Sequence, residues 1–172
     1  PLDTTNNNLV ITAAAVDISG GSVTTGTGVF GCSGVGCPAG TSPFNQWNVD
    51  ASGDWLLGTN WLLGTPTLGQ VVLINRPSAN PTVSLGSALS PAEGFAGLLV
   101  NSETLNITGN ATTKSTLSIT AHITHNGTTA SSNLGTLNLD HATIGGVGAI
   151  ANLGTLNLTD SAVNVALINE GA

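Results

Sequence analysis

Residues Asn133–Asp160 read NLGTLNLDHATIGGVGAIANLGTLNLTD. The seven residues NLGTLNL occur twice, the second copy 19 residues after the first. Side chains alternate between the two faces of a β-strand. TLNL therefore places Leu137 and Leu139 on one face, with Thr136 and Asn138 on the other. Leu156 and Leu158 repeat this pattern, with Thr155 and Asn157 opposite. Ile144 and Val163 keep the 19-residue spacing, so the register carries past the strand. From Asn152 to Asn169 the spacing shortens to 17, as if two glycines near Gly145 had been dropped. A change of that size belongs in a turn.

Looser copies lie upstream. TLNIT at Thr104–Thr108 and TLSIT at Thr116–Thr120 alternate in the same way. HITHNGT (122–128), AIANLGT (149–155) and ALINEGA (166–172) align as an aliphatic residue, then Asn, then Gly. A period near 20 with one L-x-L strand per unit marks a solenoid. The intervening segments are rich in Gly, Ala, Ser and Asn and lack a 3.6-residue period, which argues against leucine-rich repeats. The predicted fold is all-β, a parallel β-helix (β-solenoid). Each circuit advances about 4.8 Å, so that Leu stacks on Leu and Asn on Asn, the latter as amide ladders. Leu137, Leu139, Ile144, Leu156, Leu158 and Val163 form the predicted core. One circuit cannot bury its own leucines, so its neighbours must cover them.

Composition narrows the function. Charged residues are 6% of the chain, Arg76 and Lys114 are its only Arg and Lys, and the net charge is −7. Neither nucleic acid nor an anionic membrane surface is therefore expected as a partner. No apolar run approaches the roughly 20 residues that cross a bilayer as a helix. Thr, Asn and Ser interleave with aliphatic residues, which favours strands and turns over disorder. Aromatics are 3%, enough for a thin core of Leu, Ile and Val. The chain begins at Pro1 without a basic or apolar leader, which reads as a processed, exported polypeptide. ALINEGA reads as a repeat cut short.

Cys32 and Cys37 lie in GCSGVGCPAG, where glycines allow a tight loop. In an exported chain this spacing points to a local disulfide, worth about 2 kcal/mol in so small a loop. A reactive pair or half a metal site are the alternatives. With no second cysteine pair and no nearby histidine, zinc is disfavoured.

QWNVDASGDWLLGTNW (46–61) gathers Trp47, Trp55 and Trp61. A β-helix end exposes strand edges and core side chains, and indoles can cover it. A platform for stacking sugars is the alternative. GDW-x4-NW (Gly53, Asp54, Trp55, Asn60, Trp61) is followed by Thr65-Pro66, the apolar strand Val71–Ile74 and the L-x-L repeats. Over roughly residues 47–172 this resembles secreted bacterial β-helix surface proteins, the autotransporter passengers and filamentous-haemagglutinin-like adhesins. The resemblance implies an extracellular or cell-surface location. The expected organisation is an N-terminal strand and Gly-rich disulfide loop over 1–46, a Trp-rich cap over 47–96, and solenoid repeats over 97–172.

Catalytic chemistry finds little support. Asp140 and Asp160 are 20 apart, one residue off register. A carboxylate pair about 5–5.5 Å apart can support retaining glycoside hydrolysis. Solvated turn positions explain both residues more simply. The repeats hold one Lys, no Arg and no aromatic after Phe95, so other parts of a sugar-cleaving site are missing. His122 and His125 fall on opposite faces of a strand and His141 stands alone, so no metal or cofactor is predicted. Asn106, Asn110, Asn126 and Asn157 fit N-x-[ST] and matter only in a glycosylating host. Thr136 and Thr155 stack, but Asn138 and Asn157 take the next outward place, so the double Thr rank of an ice-binding face is not met.

The expected function is that of a non-enzymatic extracellular structural protein, part of an adhesin or a self-assembling filament. Its partners would be a host or matrix surface, a glycan, or a second copy joined head to tail. In the last case Leu9–Val16 (Leu9, Val10, Ile11 and Val16) would add as a strand to the final repeat, and such an open contact yields a fibre. The alternative is a carbohydrate-binding or carbohydrate-cleaving β-helix.

Overall fold

The computed structural model describes residues 44–120 and 130–169, with strand backbone at 2–3, 9–15, 23–24 and 30–35. Among these the chain is all-β. β1 (Leu2–Asp3) pairs with β3 (Val23–Thr24), and β2 (Leu9–Ala15) with β4 (Phe30–Val35), both in parallel. The remaining strands build three parallel sheets. The first orders β5 (Phe44–Gln46), β7 (Val71–Ile74), β10 (Leu98–Asn101), β13 (Ala130–Asn133), β16 (Ala149–Asn152) and β19 (Ala166–Asn169). The second orders β6 (Gly53–Asp54), β8 (Thr82–Leu85), β11 (Thr104–Thr108), β14 (Thr136–Asp140) and β17 (Thr155–Thr159). The third orders β9 (Glu93–Ala96), β12 (Ser115–Ile119), β15 (Ala142–Gly146) and β18 (Ala162–Val163).

From β7 onward the chain visits the three sheets in rotation, and every strand except β9, which begins the third sheet, pairs with its counterpart one circuit earlier. Parallel neighbours need a crossover; here the other two sheets supply it. The repeat spacing sets the register. Leu137 pairs with Leu156, Leu139 with Leu158 and Ile144 with Val163. The 17-residue step also holds, with Asn152 opposite Asn169.

Inward side chains stack in columns. Val83, Leu105, Leu137 and Leu156 form one, and Leu85, Ile107, Leu139 and Leu158 the next. On the third sheet Gly94, Leu117, Ile144 and Val163 align. The columns are buried through Leu139 and Ile144, while Thr104, Asn106 and Thr108 alternate outward and half-exposed. β7 and β10 differ, being buried on both faces. Their apolar runs, VVLI and LLV, suit strands covered on both sides.

The stacking begins upstream of the recurring motif, since β7–β9 make a full circuit beneath β10–β12. HITHNGT at 122–128 lies outside the described residues. The described counterpart of AIAN is ASSN at Ala130–Asn133.

Leu137→Ala would empty part of a fully enclosed column. We expect a loss of about 3 kcal/mol in urea unfolding followed by circular dichroism. Leu158→Ala, at a side chain 50% exposed, should cost less than half of that.

Candidate functional site

The two asparagines of NLGTLNL build two separate ladders. The inner one runs along the corner between the first and second sheets, through Asn101, Asn133, Asn152 and Asn169. Asn101 Nδ2 donates to Asn133 Oδ1 (2.8 Å), Asn133 Nδ2 to Asn152 Oδ1 (2.7 Å) and Asn152 Nδ2 to Asn169 Oδ1 (2.7 Å). Asn101 and Asn133 are fully buried. Each Nδ2 also meets backbone carbonyls. Asn101 donates to Thr136 O and Glu103 O, Asn133 to Thr155 O, and Asn152 to Gly154 O. Because a carbonyl can only accept, these bonds fix the direction of the ladder. The outer ladder lies on the solvent face of the second sheet and runs the other way. Asn157 Nδ2 donates to Asn138 Oδ1 (2.8 Å) and Asn138 Nδ2 to Asn106 Oδ1 (2.7 Å).

Glycine in the motif answers a close approach between circuits. A Cβ on Gly135 would lie 2.1 Å from Glu103 O, and one on Gly154 would lie 2.1 Å from Gly135 O. Leu134 and Leu153 project outward at this corner and are exposed. Glu103, which stands where later circuits have Gly135 and Gly154, is buried; its Oε1 accepts the Arg76 N–H at 2.6 Å.

The three tryptophans come together. Trp61 packs edge-on against Trp47 and Trp55, with ring centroids 5.0 and 4.9 Å away, and all three are buried. GDW-x4-NW folds as a tight turn around a 3-10 segment at Gly58–Asn60. Asp54 Oδ1 accepts the Leu56 N–H, Asn60 Nδ2 donates to Asp54 O, and Trp61 Nε1 donates to Trp55 O. Arg76 ties this turn to the next circuit through Nε to Trp47 O (2.9 Å) and Nη2 to Asn48 Oδ1 (3.2 Å).

His141 does not stand alone. Its Nδ1 lies 2.7 Å from Asp140 Oδ1, and its Nε2 lies 3.5 Å from Asp160 Oδ2. Lys114 Nζ donates to Asp160 O at 2.6 Å. His141 and Asp160 occupy the same corner one circuit apart, both with left-handed backbone (φ 49° and 45°). Asp140 pairs in register with Thr159 rather than with Asp160. Both carboxylates are exposed and face an imidazole, with no described hydroxyl or thiol nucleophile bonded to it. Among the described residues no three His, Cys, Asp or Glu side chains gather as metal ligands. An open cavity of about 200 Å³ beside the Trp turn is lined by Asp54, Leu56, Ser84, Gly86, Ser87, Ser90 and Ala92. Its one carboxylate is the Asp54 group that accepts from Leu56.

The other sequence candidates are dispersed. Leu9, Val10 and Ile11 lie in β2 opposite Phe30, Gly31 and Cys32 of β4. Val16 and Cys37 lie outside the described residues, and so does the expected Cys32–Cys37 pairing; His122, His125 and Asn126 lie outside them too. Asn106 and Asn157 are rungs of the outer ladder. Asn110 Oδ1 accepts the N–H groups of Thr112 and Thr113. No family model, curated protein or solved structure matches the chain.

The ladders and close approaches define where substitution should hurt. Asn133→Leu would strand the Asn152 amide oxygen in a buried corner and should cost about 2–3 kcal/mol. Gly135→Ala forces two backbones apart and should cost at least as much. Gly69→Ala, where an added Cβ meets nothing within 4 Å, should leave the unfolding free energy within about 1 kcal/mol of the parent.

Proposed function

We propose that this chain is a β-solenoid, closed at its N-terminal end by Trp47, Trp55 and Trp61, that acts as a non-enzymatic structural module of an extracellular bacterial surface protein. The observation that carries this reading is the continuity of the two asparagine ladders and the leucine columns across successive circuits. Polar side chains are spent on bonds along the stack rather than converging on a cleft. A wall bonded in this way, with two Lys and Arg residues in all, suits a durable position outside the cell. An adhesin stalk and a head-to-tail filament are both served by it. The resemblance of GDW-x4-NW and the L-x-L repeats to autotransporter passengers and filamentous-haemagglutinin-like adhesins favours the first. The tryptophans pack on one another and on the first circuits, which favours a cap over a sugar-stacking platform. The engagement of Asp140 and Asp160 with His141 weighs against a glycoside-cleaving pair.

Incubation with a panel of polysaccharides should release no reducing sugar. Cleavage that disappears in an Asp140→Asn, Asp160→Asn double variant would replace the structural reading with an enzymatic one. The native protein should also keep its far-ultraviolet β signal through prolonged treatment with a protease of broad specificity such as proteinase K, because trypsin would find little to cut in a chain whose Arg76 precedes Pro77 and whose one Lys is Lys114. Rapid digestion to small peptides would count against a durable wall.

A further inference from the structure

The outer amide ladder stops at Asn106, and a cavity lies just below. Asn157 donates to Asn138 and Asn138 to Asn106, so each rung donates towards the Trp turn. The next residues in that column are Ser84, in register with Asn106, and Asp54, in register with Ser84. A serine side chain is too short to carry the ladder on. Among the described residues, neither Asn106 Nδ2 nor Ser84 Oγ has a hydrogen-bond partner.

Asp54 and Ser84 belong to the wall of the cavity of about 200 Å³, together with Ser87, Ser90, Leu56 and Ala92. Its polar groups are fixed by the fold. Asp54 Oδ1 accepts the Leu56 N–H and Asp54 O accepts from Asn60 Nδ2, which leaves Asp54 Oδ2 for a further donor. The Trp55 N–H donates to Ser84 O and ties this turn to β8. Between β8 and β9, Ser87 and Ser90 exchange backbone hydrogen bonds of 3.0 and 3.1 Å, and Ser87 Oγ accepts the Ser90 N–H. Groups held in this way lose little freedom when a ligand arrives. Leu56 and Ala92 supply an apolar patch beside them.

The order of donors and acceptors selects the ligand. The column offers an N–H at Asn106, a hydroxyl that gives and takes at Ser84, and an acceptor-only carboxylate at Asp54. An anion would meet the Asp54 charge without a cation to offset it, because Arg76 is turned to Trp47, Asn48 and Asp50, and Lys114 to Asp160. An ammonium group only donates and leaves Asn106 unanswered. Two adjacent hydroxyls answer both ends, one accepting from Asn106 and the other donating to Asp54, with Ser84 between them. The carbon-bound hydrogens of the same ring would rest on Leu56 and Ala92. The volume falls below the roughly 300–1,000 Å³ of sites for drug-sized ligands, so one ring fills it. We infer that this cavity binds one ring of a neutral saccharide through a pair of adjacent hydroxyls. The inference rests on the surface-protein reading proposed above and names the class of partner such a protein would hold. A single carboxylate binds a sugar without cleaving it by the two-carboxylate route.

The test uses the 172-residue chain and the methyl glycosides of glucose, galactose, mannose and N-acetylglucosamine as probes. In an NMR titration at least one should shift the backbone amides of Leu56, Ser84, Ser87 and Ser90 and leave those of Leu137 and Leu139 in place. Asp54→Asn keeps an acceptor for the Leu56 N–H and loses the charge, and should weaken that glycoside at least about tenfold. Ser84→Ala removes a hydroxyl that bonds to no described residue, so it should fold as the parent does and weaken the glycoside about two- to tenfold. Three results overturn the inference: no shift with any of the four glycosides, equal binding by the parent and both variants, or tighter binding of inorganic phosphate or methylammonium chloride at the same amides. Each of them leaves the structural reading standing, since a wall module need not hold a sugar. Release of reducing sugar, or rapid digestion of the native chain, strikes that reading instead.

Discussion

A strand that alternates leucine with threonine or asparagine has one apolar face and nothing of its own to cover it. In this chain the cover comes from the two other sheets across the interior and from the equivalent, mostly aliphatic side chains about 4.8 Å above and below. The inward columns of Leu, Ile and Val are therefore a condition of the fold rather than a product of it. A single circuit would leave its leucines more exposed than Leu158, which is 50% exposed although Leu139 covers it on one side. Stability accumulates by neighbour contacts, as in other repeat architectures.

Turning a corner between sheets creates the second constraint, because the chain there has left one ladder of backbone bonds and not yet joined the next. Buried backbone groups must find partners. Asn101, Asn133 and Asn152 provide them, each bonding the carboxamide of the next rung and the carbonyls that pass beside it. Glycine two positions after Asn133 and Asn152 lets the backbones come close enough for this. The repeated NLGTLNL thus encodes one corner and the strand after it, with Leu134 and Leu153 as the positions the interior does not specify.

Parts of this were legible and parts were not, for physical reasons. The 19-residue spacing of Leu137 and Leu156 located the strands, their faces and their register, because no insertion falls between those copies. Between Asn101 and Asn133 the spacing is 32, and the extra residues hide the equivalence of NSET with NLGT. The circuit of β7–β9 left no repeat to find. Its inward positions demand only aliphatic character, and Gly94 replaces a larger residue where Leu85 and Trp55 crowd its would-be Cβ. His141 appeared isolated because Asp140 was compared with Asp160. The residue in register with Asp160, 19 positions earlier, is His141 itself, so the 19-residue spacing already carries this pairing.

The low charge of the sequence also follows from the stack. In a parallel in-register wall, a charge placed at a recurring position sits about 4.8 Å from its copy. Like charges at that distance repel by about 1 kcal/mol in water and by about 3–4 kcal/mol at the effective dielectric near a protein surface. Hydroxyls and carboxamides carry no such cost, and carboxamides bond to their own copies. The one described charge within the outward columns of the second sheet above β6 obeys this rule: Asp140 has Thr108 below it and Thr159 above. Where charges do meet between circuits, at Asp50 and Arg76 and at His141 and Asp160, they are of types able to attract. The uncharged, Thr- and Asn-rich composition is in this sense another consequence of piling copies of one rung on the next.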